Sequence, residues 1–320
     1  MHDLVTLGEV LLRLAVPSPA RFETARVLDV QIGGAEANVA AEANVAAACA
    51  RLGLKTAWIS AVPANPWGDR VLRELSGHGI DCAYVQTMPG TRLGLYFLEY
   101  GVAPRPVQVL YDRRDSAFSH LTSDLVDWET VRRARVAHVT GITPALGLQS
   151  RKLADRLVNE ATTISFDVNY RAALWTPSDA RAFAESVLPR ARYVFIGRAE
   201  AKTIFGVSGD PERVLDHLAR HAPKATIALL QGSDGSTVLN DGRIWRPTVR
   251  HAVQMIDPIG AGDAYAAGYI WATLSGRLPQ DAVNIAATIA ALKCSMWGDV
   301  ALISRDDVKD ALAGGADVRR

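Results

Sequence analysis

The residues with the clearest capacity for chemistry are Asp257-Pro258-Ile259-Gly260-Ala261-Gly262-Asp263, which run on into Ala264-Tyr265-Ala266-Ala267-Gly268. Gly260, Ala261 and Gly262 stand between an extended segment, His251 to Ile256, and an Ala-rich helical run, so their backbone N–H groups can converge at a helix N-terminus. Such convergence makes an anion hole, with side chains small enough for an oligophosphate to approach the main chain. Asp263 would then sit where a γ-phosphoryl group meets its acceptor. Phosphate repels a carboxylate, so Asp263 suits the role of general base for a substrate hydroxyl better than that of phosphate ligand. Taken alone, Gly-x-Gly-Asp is more often a glycine turn with an acidic cap.

Other chemistries find little support. Cys49, Cys82 and Cys294 are far apart and form no C-x-x-C pair, which speaks for reduced core thiols rather than a disulfide framework or zinc site. His2, His78, His120, His138, His217, His221 and His251 show no metal-binding spacing. With 35 Lys+Arg against 34 Asp+Glu and a net charge of +1, the chain lacks the electrostatic footprint of a nucleic-acid or membrane-surface binder. No apolar run reaches the ~20 residues of a membrane span, and the N-terminus lacks the pattern of a signal peptide. A soluble, cytoplasmic protein is the expectation.

The elements that must position Asp263 follow an alternating rhythm. Short β-branched runs at Leu4–Leu7, Thr56–Ala61, Val136–Thr140, Thr163–Val168, Tyr193–Ile196 and Thr226–Leu230 read as buried strands. Segments of helical period lie between them, near Arg70–His78, Ser150–Glu160, Pro177–Leu188 and Pro211–Arg220. Several helix starts carry Pro beside Thr or Asp, as in Thr176-Pro177 and Asp210-Pro211. The pattern predicts an α/β fold with a doubly wound, largely parallel sheet flanked by helices. Residues of about 10–32 and 94–111 alternate and are punctuated by Pro, which predicts a small lid of antiparallel strands. Asp241-Gly242 marks a hairpin turn. No linker divides residues 1–320, so one domain with its lid is expected.

Two strings now gain weight together. Gly33-Gly34-Ala35-Glu36-Ala37-Asn38-Val39-Ala40 near one end and Asp257 to Asp263 near the other resemble the paired signatures of the ribokinase-like family, the phosphofructokinase B type sugar kinases. Within it the chain is most similar to 2-keto-3-deoxygluconate kinases, on Thr6-Leu7-Gly8-Glu9, Gly33 to Ala40, Tyr111-Asp112-Arg113-Arg114-Asp115-Ser116-Ala117, and Asp167-Val168-Asn169-Tyr170-Arg171 with Leu174-Trp175. The resemblance implies transfer of a phosphoryl group from ATP to a sugar hydroxyl, on a ribokinase-like fold covered by a β-lid.

It also implies roles. Asp263 matches the catalytic base, and Gly260, Ala261 and Gly262 match the anion hole. Glu200 matches the acidic end of an Asn-x-x-Glu motif that organises Mg²⁺, with Gly197 standing where the Asn is usual; alone, Glu200 fits equally well as a helix-dipole residue. Gly232 and Gly235 match a nucleotide loop. Gly33, Gly34 and Asn38 fall at sugar-binding positions. Arg113 and Arg171 fall where sugar-acid kinases hold the substrate carboxylate, which a guanidinium grips through paired charge-assisted hydrogen bonds; Arg171 could instead reach the ATP phosphates. Tyr96 and Tyr111 are lid candidates for contact with the sugar, and packing of the lid is the competing reading. Some relatives hold a monovalent cation beside the loop at Asp257, and lid strands could pair in a homo-oligomer. A neutral sugar such as ribose or fructose, or binding without turnover, remain the alternatives.

One feature departs from the resembled pattern. Ala35-Glu36-Ala37-Asn38-Val39-Ala40 is repeated at once as Ala41-Glu42-Ala43-Asn44-Val45-Ala46. In a continuous helix six extra residues add about 9 Å and turn all later residues by about 120°. Asn38 and Asn44 therefore compete for the sugar-binding position, and Asn38 is favoured because it keeps the spacing to Gly33-Gly34.

Overall fold

The computed structural model describes residues 1–33, 41–101 and 104–314. Its strands, in chain order, are β1 (Leu4–Leu7), β2 (Leu11–Val16), β3 (Asp29–Gly33), β4 (Thr56–Pro63), β5 (Ile80–Asp81), β6 (Val85–Met88) and β7 (Gly94–Glu99). They continue as β8 (Gln108–Asp112), β9 (Val136–Thr140), β10 (Ile164–Asp167), β11 (Ala191–Gly197), β12 (Thr226–Leu230), β13 (Ser236–Asn240) and β14 (Arg243–Trp245). Among the described residues, the large sheet has the order β14-β13-β12-β11-β10-β9-β1-β4-β5, with β6 alongside the end of β4. Pairing is parallel from β12 through to β4 and antiparallel only for β12–β13 and β13–β14. The doubly wound α/β architecture is the one the sequence rhythm predicts.

Alternation along each strand builds the two helical layers. On β11, Val194 and Ile196 face a core shared with the helices Leu148–Glu160, Pro177–Val187 and Pro211–Ala219. Tyr193 and Phe195 face the opposite core, against Tyr265 and Tyr269 of the helix Ala261–Leu274. A parallel sheet is covered on both faces, so its strands carry apolar residues at both parities. The helices start where the Pro signals place them. Thr176 accepts from the Asp179 N–H at 3.1 Å and Asp210 from the Glu212 N–H at 2.8 Å. The hairpin turn holds Asp241 and Gly242 at φ 47° and 73°.

A second sheet of order β3-β2-β7-β8 stands beside the first, where the lid segments are expected. One detail differs: its central pair, β2–β7, is parallel, and only the outer pairs are antiparallel. The difference arises because β2 and β7 come from separate excursions of the chain and not from one hairpin. Residues 251–256, expected to be extended, carry no β pairing. The last long helix is Pro279–Cys294. The three cysteines are free thiols, and no described helix is long and apolar enough to cross a membrane.

Candidate active site

β1 pairs with β4 on one side and β9 on the other, so the chain reverses its winding direction there. In open parallel sheets the crevice at the carboxyl ends of such strands is where ligands bind. Here those ends present Gly8 and Glu9 after β1, Thr140 on β9, Asp167 on β10 and Gly197 on β11.

The helix Ala41–Arg51 enters this crevice and is built from the second copy of the repeated hexapeptide. Glu42 is buried and accepts from the Thr140 N–H at 3.1 Å, Thr140 Oγ1 at 2.8 Å and Thr143 Oγ1 at 2.7 Å. Burial raises its pKa above the usual carboxylate value, opposed by those threonine hydrogen bonds. Asn44 donates Nδ2 to Asp263 Oδ2 at 2.8 Å. The preference for Asn38 is therefore not what the geometry favours. Asn44 reaches Asp263, whereas Asn38 and Gly34 lie outside the described residues. Sequence spacing counts from the glycine pair, but packing of Glu42 against Thr140 sets the helix register from the other end. The described helix Ala41–Arg51 is thus seated by the second copy.

Asp263 lies in the first turn of the helix Ala261–Leu274 and is 1 % exposed. Burial pushes its carboxyl up to about 7, while the Asn44 hydrogen bond and the Arg171 charge pull the other way. Gly260 is the N-cap at φ 76°, and a Cβ there would lie 2.1 Å from the Asp299 carbonyl oxygen. Only glycine fits. Ala264 donates to Gly260 O at 2.8 Å, the first bond of the helical ladder, and Ala261 N–H turns back to Pro258 O at 3.3 Å. The Ala261 amide is thus engaged in the turn, which leaves the hole to the amides that come after it.

Asp167 ends β10 beside two further acids, Glu200 and Asp263. Burial and then the charges of Glu200 and Asp263 hold the Asp167 carboxyl well above its ordinary value, with Arg171 opposing. Glu200 Oε1 accepts from Tyr170 N–H at 2.8 Å and Oε2 from Gly197 N–H at 2.7 Å. Burial raises Glu200 too. Arg171 donates to Tyr170 O at 3.0 Å, and its buried Nε has no hydrogen-bond partner. Mutually repelling carboxylates with one guanidinium fit a divalent cation. Among the described residues they form no ready-made cage of three acidic ligands, as suits Mg²⁺, which keeps most of its water. Gly232 and Gly235, at φ 61° and 89°, shape the loop after β12. A cavity of about 740 Å³ opens between Gly232 and Gly197, bordered by Arg198, Lys202 and Leu230. Gly197, at the Asn position, leaves this wall open.

The small sheet meets the site through buried charge. Arg13 on β2, 0 % exposed, contacts Asp299 Oδ1 at 2.5 Å, Asp257 Oδ2 at 3.1 Å and the Tyr100 hydroxyl. Tyr96 is also fully buried, and its hydroxyl donates to Asp299 Oδ2 at 3.1 Å. This places Tyr96 in the joint between sheet and loop rather than on an open sugar surface. Tyr111 packs beside it, ring centroids 6.2 Å apart. Gly33 ends β3 against the same joint: a Cβ there would come 2.6 Å from Asp299 Oδ2. Arg113 pairs with Glu9, donating Nε to Oε2 at 3.0 Å, and Glu9 Oε1 is buried without a hydrogen bond.

The family model of pfkB family carbohydrate kinases matches residues 1–303. The chain belongs to that family. A 2-dehydro-3-deoxygalactonokinase of Haloferax volcanii is 36% identical over 317 residues, covering 98% of this chain and 97% of that protein. A 2-dehydro-3-deoxygluconokinase of Thermoproteus tenax is 30% identical over 305 residues, covering 93% and 90%. The crystal structure of a 2-dehydro-3-deoxygluconokinase from Thermotoga maritima superposes with a TM-score of 0.87 at 30% identity, covering 98% of this chain and 100% of that one.

In this pfkB family kinase, residue types and spacing single out Asp263, the family resemblance adds Arg171 and Glu200, and the fold brings the three together. They do not single out Asp167 as a site residue, although it stands within a family motif; its place at the carboxyl end of a central strand is the available signal. Glu42 and Arg13 give no such signal, since each depends on a partner roughly a hundred or more residues away. Because the repeat is in tandem, deleting residues 35–40 leaves Gly34 followed by Ala41 and preserves the seated copy. The deletion variant of this kinase is expected to melt at the parent's temperature and to turn over sugar no more slowly, as judged by calorimetry and steady-state kinetics. A large loss in either would show that the six surplus residues contribute to the fold or to the site.

Proposed function

We propose that the protein transfers the γ-phosphoryl group of ATP to a hydroxyl of a 2-keto-3-deoxy sugar acid, gluconate or its galactonate epimer, with Mg²⁺. The observation that carries the reading is Asp263: a buried carboxyl raised to about 7 at a helix N-terminus, in a chain that belongs to the carbohydrate kinases. A base with that affinity for protons accepts one from a sugar hydroxyl near neutral pH and keeps the ionised form populated. Asn44 fixes the orientation of the carboxylate through its 2.8 Å bond. The amides after Gly260 and the Arg171 guanidinium face the charge that builds on the transferring group, where preorganised donors count most. Asp167 and Glu200 are the residues that would hold Mg²⁺, which would supply charge neutralisation to the phosphates. The cavity between Gly197 and Gly232 suits the nucleotide, and the small sheet, acting as a lid, would exclude water.

Arg113 is the candidate for the substrate carboxylate, and its pairing with Glu9 supports a second reading, since a guanidinium already neutralised suits a neutral sugar as well. An ADP-release assay over sugar acids and neutral sugars separates the two, and absence of ADP release with saturable binding would mean a binding protein. Arg113→Ala is expected to raise KM for the sugar acid by about 10- to 100-fold, the loss of a charge-assisted pair of hydrogen bonds, with little change for neutral sugars. An equal rise for both classes would remove Arg113 from carboxylate recognition.

A further inference from the structure

Lys293, in the last turn of the helix Pro279–Cys294, is 0 % exposed and takes no part in the proposed transfer. Its ammonium donates to two backbone carbonyls, Asp257 O at 2.9 Å and Met296 O at 3.4 Å. Both lie in the segments that fold over the start of the anion-hole helix. Asp257 is the hub of that loop: Oδ1 accepts from Ile259 N–H at 3.1 Å, and Oδ2 from Gly298 N–H at 3.3 Å and from Arg13. Asp257 N–H is tied to Cys294 O at 3.2 Å, and the Asp299 carbonyl packs on Gly260. An ammonium bridging loop carbonyls is what a small monovalent cation would do in the same place.

The charges support this. Arg13 and Lys293 are the cations of the buried cluster, and Asp257 and Asp299 the anions, so among the described residues it is neutral as it stands. A further cation bound there would leave a buried net charge, which is costly. Burial lowers the lysine's proton affinity, yet Asp257 and Asp299 act to keep it charged.

We infer that Lys293 is a positioning residue for phosphoryl transfer, a tethered ammonium that holds the Asp257–Gly262 loop in its anion-binding shape and makes the enzyme independent of added monovalent cations. The inference rests on the proposed kinase activity. The test is turnover at constant ionic strength in tetramethylammonium, Na⁺, K⁺ or NH₄⁺, for the parent, Lys293→Ala and Lys293→Met. The parent is expected to show the same kcat in all four salts. Lys293→Ala is expected to lose about tenfold or more in kcat in tetramethylammonium, as when an oxyanion donor is misplaced, and to regain activity with K⁺ or NH₄⁺, which fit the vacated carbonyls. Lys293→Met, whose side chain fills the space, should lose activity without recovering it. A parent activated several-fold by K⁺, or a Lys293→Met enzyme with the parent's kcat, would overturn the inference even if the alanine variant fails to fold. If the parent itself releases no ADP from any sugar, it is the kinase reading that fails. The loop role is then read from hydrogen exchange of amides 256–263, faster in Lys293→Met if the inference holds and unchanged if it does not.

Discussion

Asp263→Asn is expected to lower kcat by about 10²- to 10⁴-fold, the usual worth of a positioned general base, with the fold and nucleotide binding intact. The asparagine keeps the shape and an oxygen to accept from Asn44, so the change isolates the loss of the proton acceptor. The sign of the pH dependence comes from the raised carboxyl. Below about pH 7 the parent's Asp263 holds its proton and cannot take one from the sugar, so kcat/KM should climb as pH rises through about 7 and then level. The variant should lack that ascending limb. Stability moves the opposite way, because an acid whose folded-state value lies above its unfolded one binds more protons when folded. Asp263 therefore contributes less stability as pH rises from about 4 to about 7, and removing its charge should leave the melting temperature at neutral pH unchanged or higher. A variant with near-normal turnover and the same pH limb would assign the base to another residue.

Arg13→Met should have the largest effect on stability. Arg13 is the link between β2 of the small sheet and the acids Asp257 and Asp299, all buried. Removing one partner of a buried pair leaves uncompensated charge, which costs about 3–5 kcal/mol and should lower the melting temperature by on the order of 10 °C. Burial already raises Asp299, with Arg13 opposing that rise. Without the guanidinium Asp299 should take up its proton more readily, so the deficit should shrink as pH falls. Breaking the exposed Arg92–Asp112 pair by Arg92→Ala, by contrast, should cost about 1 kcal/mol or less. Calorimetry of the two variants across pH checks both statements. A loss as small for Arg13 as for Arg92 would mean that the small sheet is not anchored by this cluster.

Asp263 and the glycines before it were legible because their chemistry is local: a helix start, small side chains and an acid in the first turn lie within a few residues of each other. The parallel strands were legible for a similar reason, since a strand covered on both faces is a short unbroken apolar run. The parallel pairing of β2 with β7 was not, because register across two excursions of the chain leaves no mark in either segment. Tyr96 shows the same limit: its residue type suits a sugar contact, but only the approach of Asp299 from the far end of the chain decides that its hydroxyl is used in the joint.

The repeated hexapeptide draws the line most sharply. The sequence by itself determined that two identical segments carry an Asn suited to the site, and that six residues are surplus to the family pattern. Nothing in identical residues distinguishes one copy from the other. Tertiary structure decided between them, because Thr140 at the end of β9 and Thr143 in the short helix that follows bind Glu42 and thereby fix which turn of helix faces Asp263. Local chemistry is written in neighbouring residues, whereas register, and with it the choice of Asn44, is set by contacts between residues about a hundred positions or more apart in the chain.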